Sequence, residues 1–160
     1  MTSSTRILFI HGSESNSQTY KAQVLRKHFL GIIVPDFSGP LNVRMAQLES
    51  IIQDKGDWTL IGSSLGGLMA ALFAARHPGQ VRKLVLLAPA LNLPEFANHL
   101  PKPVKVPTIL VHGMKDDIVP PGPVRRLAKR VFPKLTYLLV DDDHRLHHTA
   151  DTLDWPNLLG

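Results

Sequence analysis

Trp58-Thr59-Leu60-Ile61-Gly62-Ser63-Ser64-Leu65-Gly66-Gly67-Leu68-Met69 changes its period halfway along. The first four residues are bulky and mostly apolar, as a strand buried on both faces requires. From Leu65 onward, Leu65, Leu68, Met69, Leu72 and Phe73 recur at helical spacing. That pattern ends at His77-Pro78-Gly79, whose Pro-Gly pair cannot continue a helix. A buried strand therefore runs into a helix through a turn made only of glycine and serine, which is half of a β-α-β unit.

The same alternation extends outward from this unit. Short apolar runs at residues 7–10, 31–35, 58–62, 83–87, 108–111 and 136–140 read as strands buried on both faces. Helical patterns lie between them at residues 20–30, 41–52 and 64–76, the second with Leu41, Met45, Leu48 and Ile52 as its stripe. A further helix covers residues 124–131, with Pro123 as its first position, and a weaker one covers 145–159, interrupted by Pro156. Residues 92–107, with four prolines, predict a loop or a short irregular helix. Six strands alternating with helices, joined by right-handed crossovers, predict an α/β fold: a doubly wound, mainly parallel six-stranded sheet with helices on both faces. With no repeat or linker in 160 residues, 1–160 reads as a single domain.

Composition narrows the function classes. Hydrophobic residues at 44% and charged residues at 19% exclude a wholly disordered chain. No apolar run approaches the ~18 residues of a membrane span, and residues 1–6 enter the first strand without the apolar stretch of a secretory leader. The absence of cysteine removes disulfides, thiolate nucleophiles and thiolate-bound zinc and fits a cytoplasmic location. The net charge of +5 raises the question of nucleic acid. The one basic cluster, Arg125, Arg126, Lys129 and Arg130, falls opposite Val124, Leu127, Ala128 and Val131 on a helix and reads as a solvated face. Neither a nucleic-acid nor a membrane partner is expected; the oligomeric state is left open.

In open α/β sheets, ligands bind beyond the C-terminal ends of the strands. Ser64, in Gly62-x-Ser64-x-Gly66, follows the third predicted strand on a turn that would lift its hydroxyl clear of the sheet. A serine needs a base, and the base an orienting partner. Among eight histidines, His28 and His77 fall in helices and His99 in the irregular segment. His11 and His112 each precede a glycine at a strand end and are expected to hold loop geometry. His144, after the last strand, is the expected base. For the acid, Asp116 is preferred to Asp117, with Glu95 a distant third. Backbone N–H groups of Leu65 and Ser13 are the expected oxyanion donors, with Glu14 able to replace Ser13. The run Asp141-Asp142-Asp143-His144-x-x-His147-His148 lacks the Glu that a zinc-protease helix needs, so no metal is expected, and Asp141 and Asp142 read as a charged strand end. The glycines match neither a dinucleotide fingerprint nor a phosphate loop.

Together, Phe9-Ile10-His11-Gly12, Gly62-Ser63-Ser64-Leu65-Gly66-Gly67, Leu87-Ala88-Pro89-Ala90, His112-Gly113-Met114-Lys115-Asp116-Asp117 and Asp143-His144-Arg145 resemble the α/β-hydrolase superfamily, most closely its small lidless bacterial serine esterases. The resemblance runs from about Arg6 to His148. It implies Ser64 as nucleophile, Asp116 as acid, His144 as base, and hydrolysis of esters or thioesters with no cofactor. Six strands rather than the superfamily's eight, and no room for a cap domain, imply a minimal version of that fold. Leu93, Phe96 and Leu100 are then expected to form one apolar wall of an open site suited to short acyl groups. The reading that competes with a serine hydrolase acting on a small ester or thioester is a hydrolase fold kept as a non-catalytic binding module.

Overall fold

In the computed structural model, which describes residues 6–160, five parallel strands form one sheet: β1 (Arg6–Ile10), β2 (Trp58–Ser63), β3 (Val81–Leu87), β4 (Thr108–Gly113) and β5 (Leu135–Val140), side by side in chain order. The expectation for the leader concerns residues 1–6, of which 1–5 lie outside the described residues. The helices are α1 (Tyr20–His28), α2 (Leu41–Ile52), α3 (Leu65–Arg76), the one-turn α4 (Pro94–Ala97), α5 (Pro121–Val131), α6 (His147–Thr152) and α7 (Trp155–Leu159).

The sixth strand, expected at residues 31–35, is not formed. Ile33 alone bridges Leu8, its N–H donating to the Ile7 carbonyl at 2.9 Å and its carbonyl accepting from Phe9 N–H at 2.9 Å. Gly31 takes a left-handed φ of +81° and Pro35 has no N–H to donate, so pairing stops after one residue. The segment still lies beside the free edge of β1. The chain therefore goes to one side of β1 and returns on the other as β2, and this reversal places the crevice at the C-terminal end of β1.

Alternation along each strand builds two cores. Leu8, Ile10, Leu60, Leu84, Leu86 and Leu110 pack with Met45, Leu48 and Ile52 of α2, with α3, and with Val124, Ala128 and Val131 of α5. Phe9, Ile61, Val85, Leu87, Ile109 and Val111 pack with Ala22 and Leu25 of α1 and with Leu146, Trp155 and Leu159 at the C-terminal end of the chain. The central strands are buried on both faces as expected. β5 is not: it is the edge strand, half-covered, with Leu139 48% exposed.

Several helix ends differ from expectation: α1 stops at His28, two residues short of 30, and α6 starts at His147, two residues after 145. α5 starts at Pro121, two residues before Pro123, because first-turn positions need no N–H. The last helix breaks at Leu153–Asp154 rather than at Pro156, which sits harmlessly in the first turn of α7. The buried Trp155 indole donates to the Ala150 carbonyl at 2.9 Å and ties the two pieces together.

Candidate active site

Ser64 stands between β2 and α3 with φ 56° and ψ −114°, a conformation that a side chain adopts only when its surroundings impose it. Its N–H donates to the Leu87 carbonyl at 3.0 Å, and its own carbonyl accepts from Gly67, Ala90 and Leu68 at 3.0, 3.0 and 3.2 Å. The turn closes because the glycines carry no side chain. A Cβ on Gly62 would run into the Gly66 carbonyl, and one on Gly66 into the carbonyls of Ile10 and His11. Ser63, the last residue of β2, is buried, while Ser64 is half-buried and faces a cleft of about 740 Å³.

His144 lines the same cleft, on the loop after β5. Its Nδ1 lies 2.8 Å from Asp116 Oδ2. Asp116 is buried after β4, and its carboxylate is saturated. Oδ1 accepts the N–H groups of Ile118 and Val119 at 2.9 and 2.8 Å; Oδ2 accepts from His144 and lies 3.2 Å from His112 Nε2. Burial pushes its pKa up, but the His144 bond and the two N–H groups more than offset this, so the carboxyl lies below its ordinary range. An ionised Asp116 requires the proton on His144 Nδ1, which leaves the Nε2 lone pair free. Asp117 is exposed at the cleft rim and makes no hydrogen bond to His144. Glu95 lies on the far side of the sheet's α2–α3 layer, beside Met45 and Leu72.

His11 and His112 bond to loop backbone, whereas His77, expected within a helix, lies just past the end of α3. Phe37 N–H donates to His11 Nε2 at 2.9 Å, so His11 Nδ1 carries the proton and donates to the Gly12 carbonyl at 2.7 Å. His112 is fully buried, and its Nε2 is 3.0 Å from the Val119 carbonyl. Burial lowers its pKa against the opposing pull of Val119 and Asp116, so the ring is neutral. His77 joins the end of α3 to Glu49 of α2 at 2.9 Å, and His28 and His99 are exposed. Among the described residues no group of three His, Asp or Glu side chains is arranged to hold a metal.

Leu65 is the first residue of α3, so its N–H has no helical acceptor. Ser13 is exposed at the cleft, and neither it nor Leu65 spends its N–H in any other hydrogen bond. Glu14 also lines the cleft. The apolar wall expected from residues 92–107 is absent. Phe96 is fully buried, with Leu93 and Leu100 packed beside it in the α2–α3 core, and none of the three reaches the cleft. The walls come instead from Thr19, Tyr20 and Lys21 at the start of α1 and from Asp143, Arg145 and His147.

Three contributors escaped the sequence reading. Asp142 is more than a charged strand end: its Oδ2 accepts Thr149 N–H and Oγ1–H at 3.0 and 2.8 Å, and its Oδ1 accepts Asp143 N–H at 2.8 Å, so it fixes both ends of the His144 loop. The start of α1 straps that loop from outside, through Lys21 Nζ donating to the Arg145 carbonyl at 2.6 Å and a Tyr20–Asp151 hydrogen bond. Arg44, 5% exposed, donates only to carbonyl oxygens beside the Ser13 loop. Arg44 did leave a signal, since a charge three residues after Leu41 and four before Leu48 falls on the buried stripe of α2. Asp142 and Lys21 left none, because their partners are distant or are backbone atoms.

Known proteins show the same frame. The model of UPF0227, described as an uncharacterised protein family, matches residues 6–102. Palmitoyl-protein thioesterase ABHD10 of Rattus norvegicus is 30% identical over an alignment of 151 residues that covers 64% of this chain and 51% of the relative. Mouse alpha/beta hydrolase domain-containing protein 10 superposes with a TM-score of 0.79 at 26% identity, over 98% of this chain and 87% of the other. A protein assigned to the alpha/beta hydrolase superfamily from Xanthomonas campestris pv. campestris gives 0.76 at 28% identity, over 91% of each chain. The fold is that of the α/β hydrolases. The chain spans between 17% and 51% of the length of the curated relatives it matches.

Proposed function

The chain belongs to UPF0227, an uncharacterised protein family, so its activity has to be read from its own site, and we propose that it is a serine hydrolase cleaving small carboxylic esters or thioesters through an acyl-enzyme. The observation that carries this is the 2.8 Å bond between His144 Nδ1 and a saturated, ionised Asp116, with His144 and Ser64 facing one cleft. His144 Nε2 takes the proton of Ser64 Oγ as the oxygen attacks the carbonyl carbon. Asp116 fixes the tautomer and stabilises the imidazolium. The negative oxygen of the tetrahedral intermediate is received by the N–H groups of Leu65 and Ser13. The alcohol or thiol leaves with the proton from His144. Water then attacks the acyl-serine, giving a proton to His144, and the acid departs as Ser64 recovers its own. Neither cofactor nor metal takes part.

The names of the relatives support an ester or thioester as substrate: a palmitoyl-protein thioesterase and a lipase are among them. The walls support a small one. Apart from Phe9, Tyr20 and Ile118 the cleft is lined by polar, charged and glycine residues, so an added methylene gains only part of the ~0.8 kcal/mol of full burial. No helix among the described residues is long and apolar enough to cross a membrane.

A fluorophosphonate probe tests the reading. The wild-type protein is expected to become labelled at Ser64 and to turn over p-nitrophenyl esters and acyl thioesters, with kcat/KM highest at short acyl groups. A protein that takes no label and turns over nothing is the binding module instead.

A further inference from the structure

Arg44 is a buried guanidinium whose partners are all backbone carbonyls: Nε donates to Gly39 at 2.7 Å, Nη2 to Ser13 at 3.0 Å and Nη1 to Gly12 at 3.5 Å. Among the described residues it has no carboxylate within salt-bridge distance. A buried cation normally needs such a partner. The position of its hydrogen bonds gives it a task. The Gly12 carbonyl is gripped by His11 Nδ1–H at 2.7 Å and by Arg44. A planar trans peptide aims its N–H opposite its C=O, so gripping the Gly12 oxygen from behind turns the Ser13 N–H toward the other side. Ser13 lines the same cleft as Ser64, and Gly12 lies against Ser64: a Cβ on Gly12 would sit 3.5 Å from the Ser63 carbonyl oxygen and from Ser64 Cβ.

We infer that Arg44 is a positioning residue of the oxyanion hole: it locks the Gly12–Ser13 peptide with its N–H toward the carbonyl that Ser64 attacks, and it keeps behind that peptide a positive charge whose counter-charge arrives only with the oxyanion. The inference rests on the serine-hydrolase reading. Both effects are felt in the transition state more than in the bound ester, so they act on kcat rather than on KM.

The test uses Arg44→Met, Arg44→Lys and Arg44→Gln, measuring kcat and KM on a short p-nitrophenyl ester, affinity for phenylboronic acid, whose serine adduct is tetrahedral and anionic, and the urea midpoint. Arg44→Met is expected to lower kcat on the order of 10²-fold, as loss of an oxyanion donor does, with KM within about threefold. Boronate affinity should fall in parallel. Arg44→Lys, which keeps charge and donors, should recover about tenfold of the loss, and Arg44→Gln less. If Arg44→Met does not fold, the order of Lys over Gln at comparable urea midpoints decides the matter. An unimpaired kcat, or losses that follow the urea midpoint and leave boronate affinity untouched, would overturn the inference while wild-type labelling at Ser64 keeps the hydrolase reading intact. A wild-type protein that neither labels nor turns over removes both.

Discussion

The loop that carries Ser64 and the loop that carries His144 face each other across one cleft, but they are held by contrasting means. The Ser64 turn is held by what is missing. Gly62 and Gly66 let β1, β2 and α3 approach until no Cβ would fit, Gly67 does the same against Pro89 after β3, and every hydrogen bond in the turn is backbone to backbone. The His144 loop is held by side-chain carboxylates: Asp116 on the imidazole, Asp142 on Thr149, and Asp143 Oδ1 accepting Arg145 N–H at 3.0 Å. One side of the site is thus set by close packing, which is indifferent to pH. The other is set by ionised groups. In the proposed mechanism the nucleophile must keep one place whereas the base must exchange protons, a division that the contrast between the two loops would suit.

The largest effect should come from removing the nucleophile. Ser64→Ala is expected to lower kcat on the order of 10⁶-fold with the urea midpoint nearly unchanged. Ser63→Ala, one residue back and buried in β2, should cost far less. Steady-state kinetics on both variants checks this, and a dead Ser63→Ala beside an active Ser64→Ala would put the nucleophile on the wrong residue. Next comes the acid. Asp116→Asn should lower kcat on the order of 10⁴-fold, because an amide facing His144 Nδ1 selects the wrong tautomer. Asp117→Asn, exposed and not hydrogen-bonded to His144, should be mild. Equal losses at the two positions would remove the distinction that the geometry draws.

The contrast between the loops also explains what could be read in advance. The glycines that let the Ser64 turn close lie within six positions of one another, so a local pattern carries it. Asp116 and His144 were legible because each follows a strand and the parallel topology brings strand ends together. The preference for Asp116 over Asp117 has its physical basis in burial and in the Ile118 and Val119 N–H groups. The support of the His144 loop was not legible: Asp142 reaches seven residues ahead and Lys21 reaches 124 residues away to a backbone carbonyl. The strand miscounted at residues 31–35 has the apolar composition of a strand, but a left-handed Gly31 before it and a proline at its end leave one paired residue. The apolar wall failed for another reason. Leu93, Phe96 and Leu100 are apolar enough for the α2–α3 core to claim them.

A smaller effect separates the packed turn from ordinary glycines. In Gly66→Ala the new Cβ meets the carbonyls of Ile10 and His11, backbone atoms that cannot rotate away. Overpacking costs ~1–3 kcal/mol and sometimes more, so a destabilisation of at least ~3 kcal/mol in urea unfolding is expected here. Gly79→Ala, with nothing within 4 Å of the added Cβ, should change little. Similar costs at both positions would mean that the turn is held by something other than close approach.

The smallest expected effect probes the charged loop through its pH dependence. Burial raises the Asp142 pKa, but the two Thr149 bonds and the Asp143 N–H lower it by more, leaving it below the ordinary carboxylate range. The sign follows from linkage. A carboxyl whose folded pKa is depressed contributes stability that is present above its unfolded pKa of ~3.9 and is lost as pH falls through the lower folded value. Asp142→Asn keeps the shape and one acceptor oxygen but loses the ionised pair of oxygens, so it should cost roughly 1–2 kcal/mol at neutral pH. Tm measured for both proteins from pH 8 downward should show a constant gap of several degrees to about pH 5, narrowing below about pH 4 as the wild-type carboxyl protonates. Asp116 titrates in both proteins and cancels in the difference. The Gly66→Ala gap, by contrast, should stay flat across the same range, because no proton is bound or released by a crowded backbone. A flat Asp142→Asn gap would show that Asp142 holds the His144 loop by shape alone, and the division between a packed side and an ionised side of the site would fail at that point.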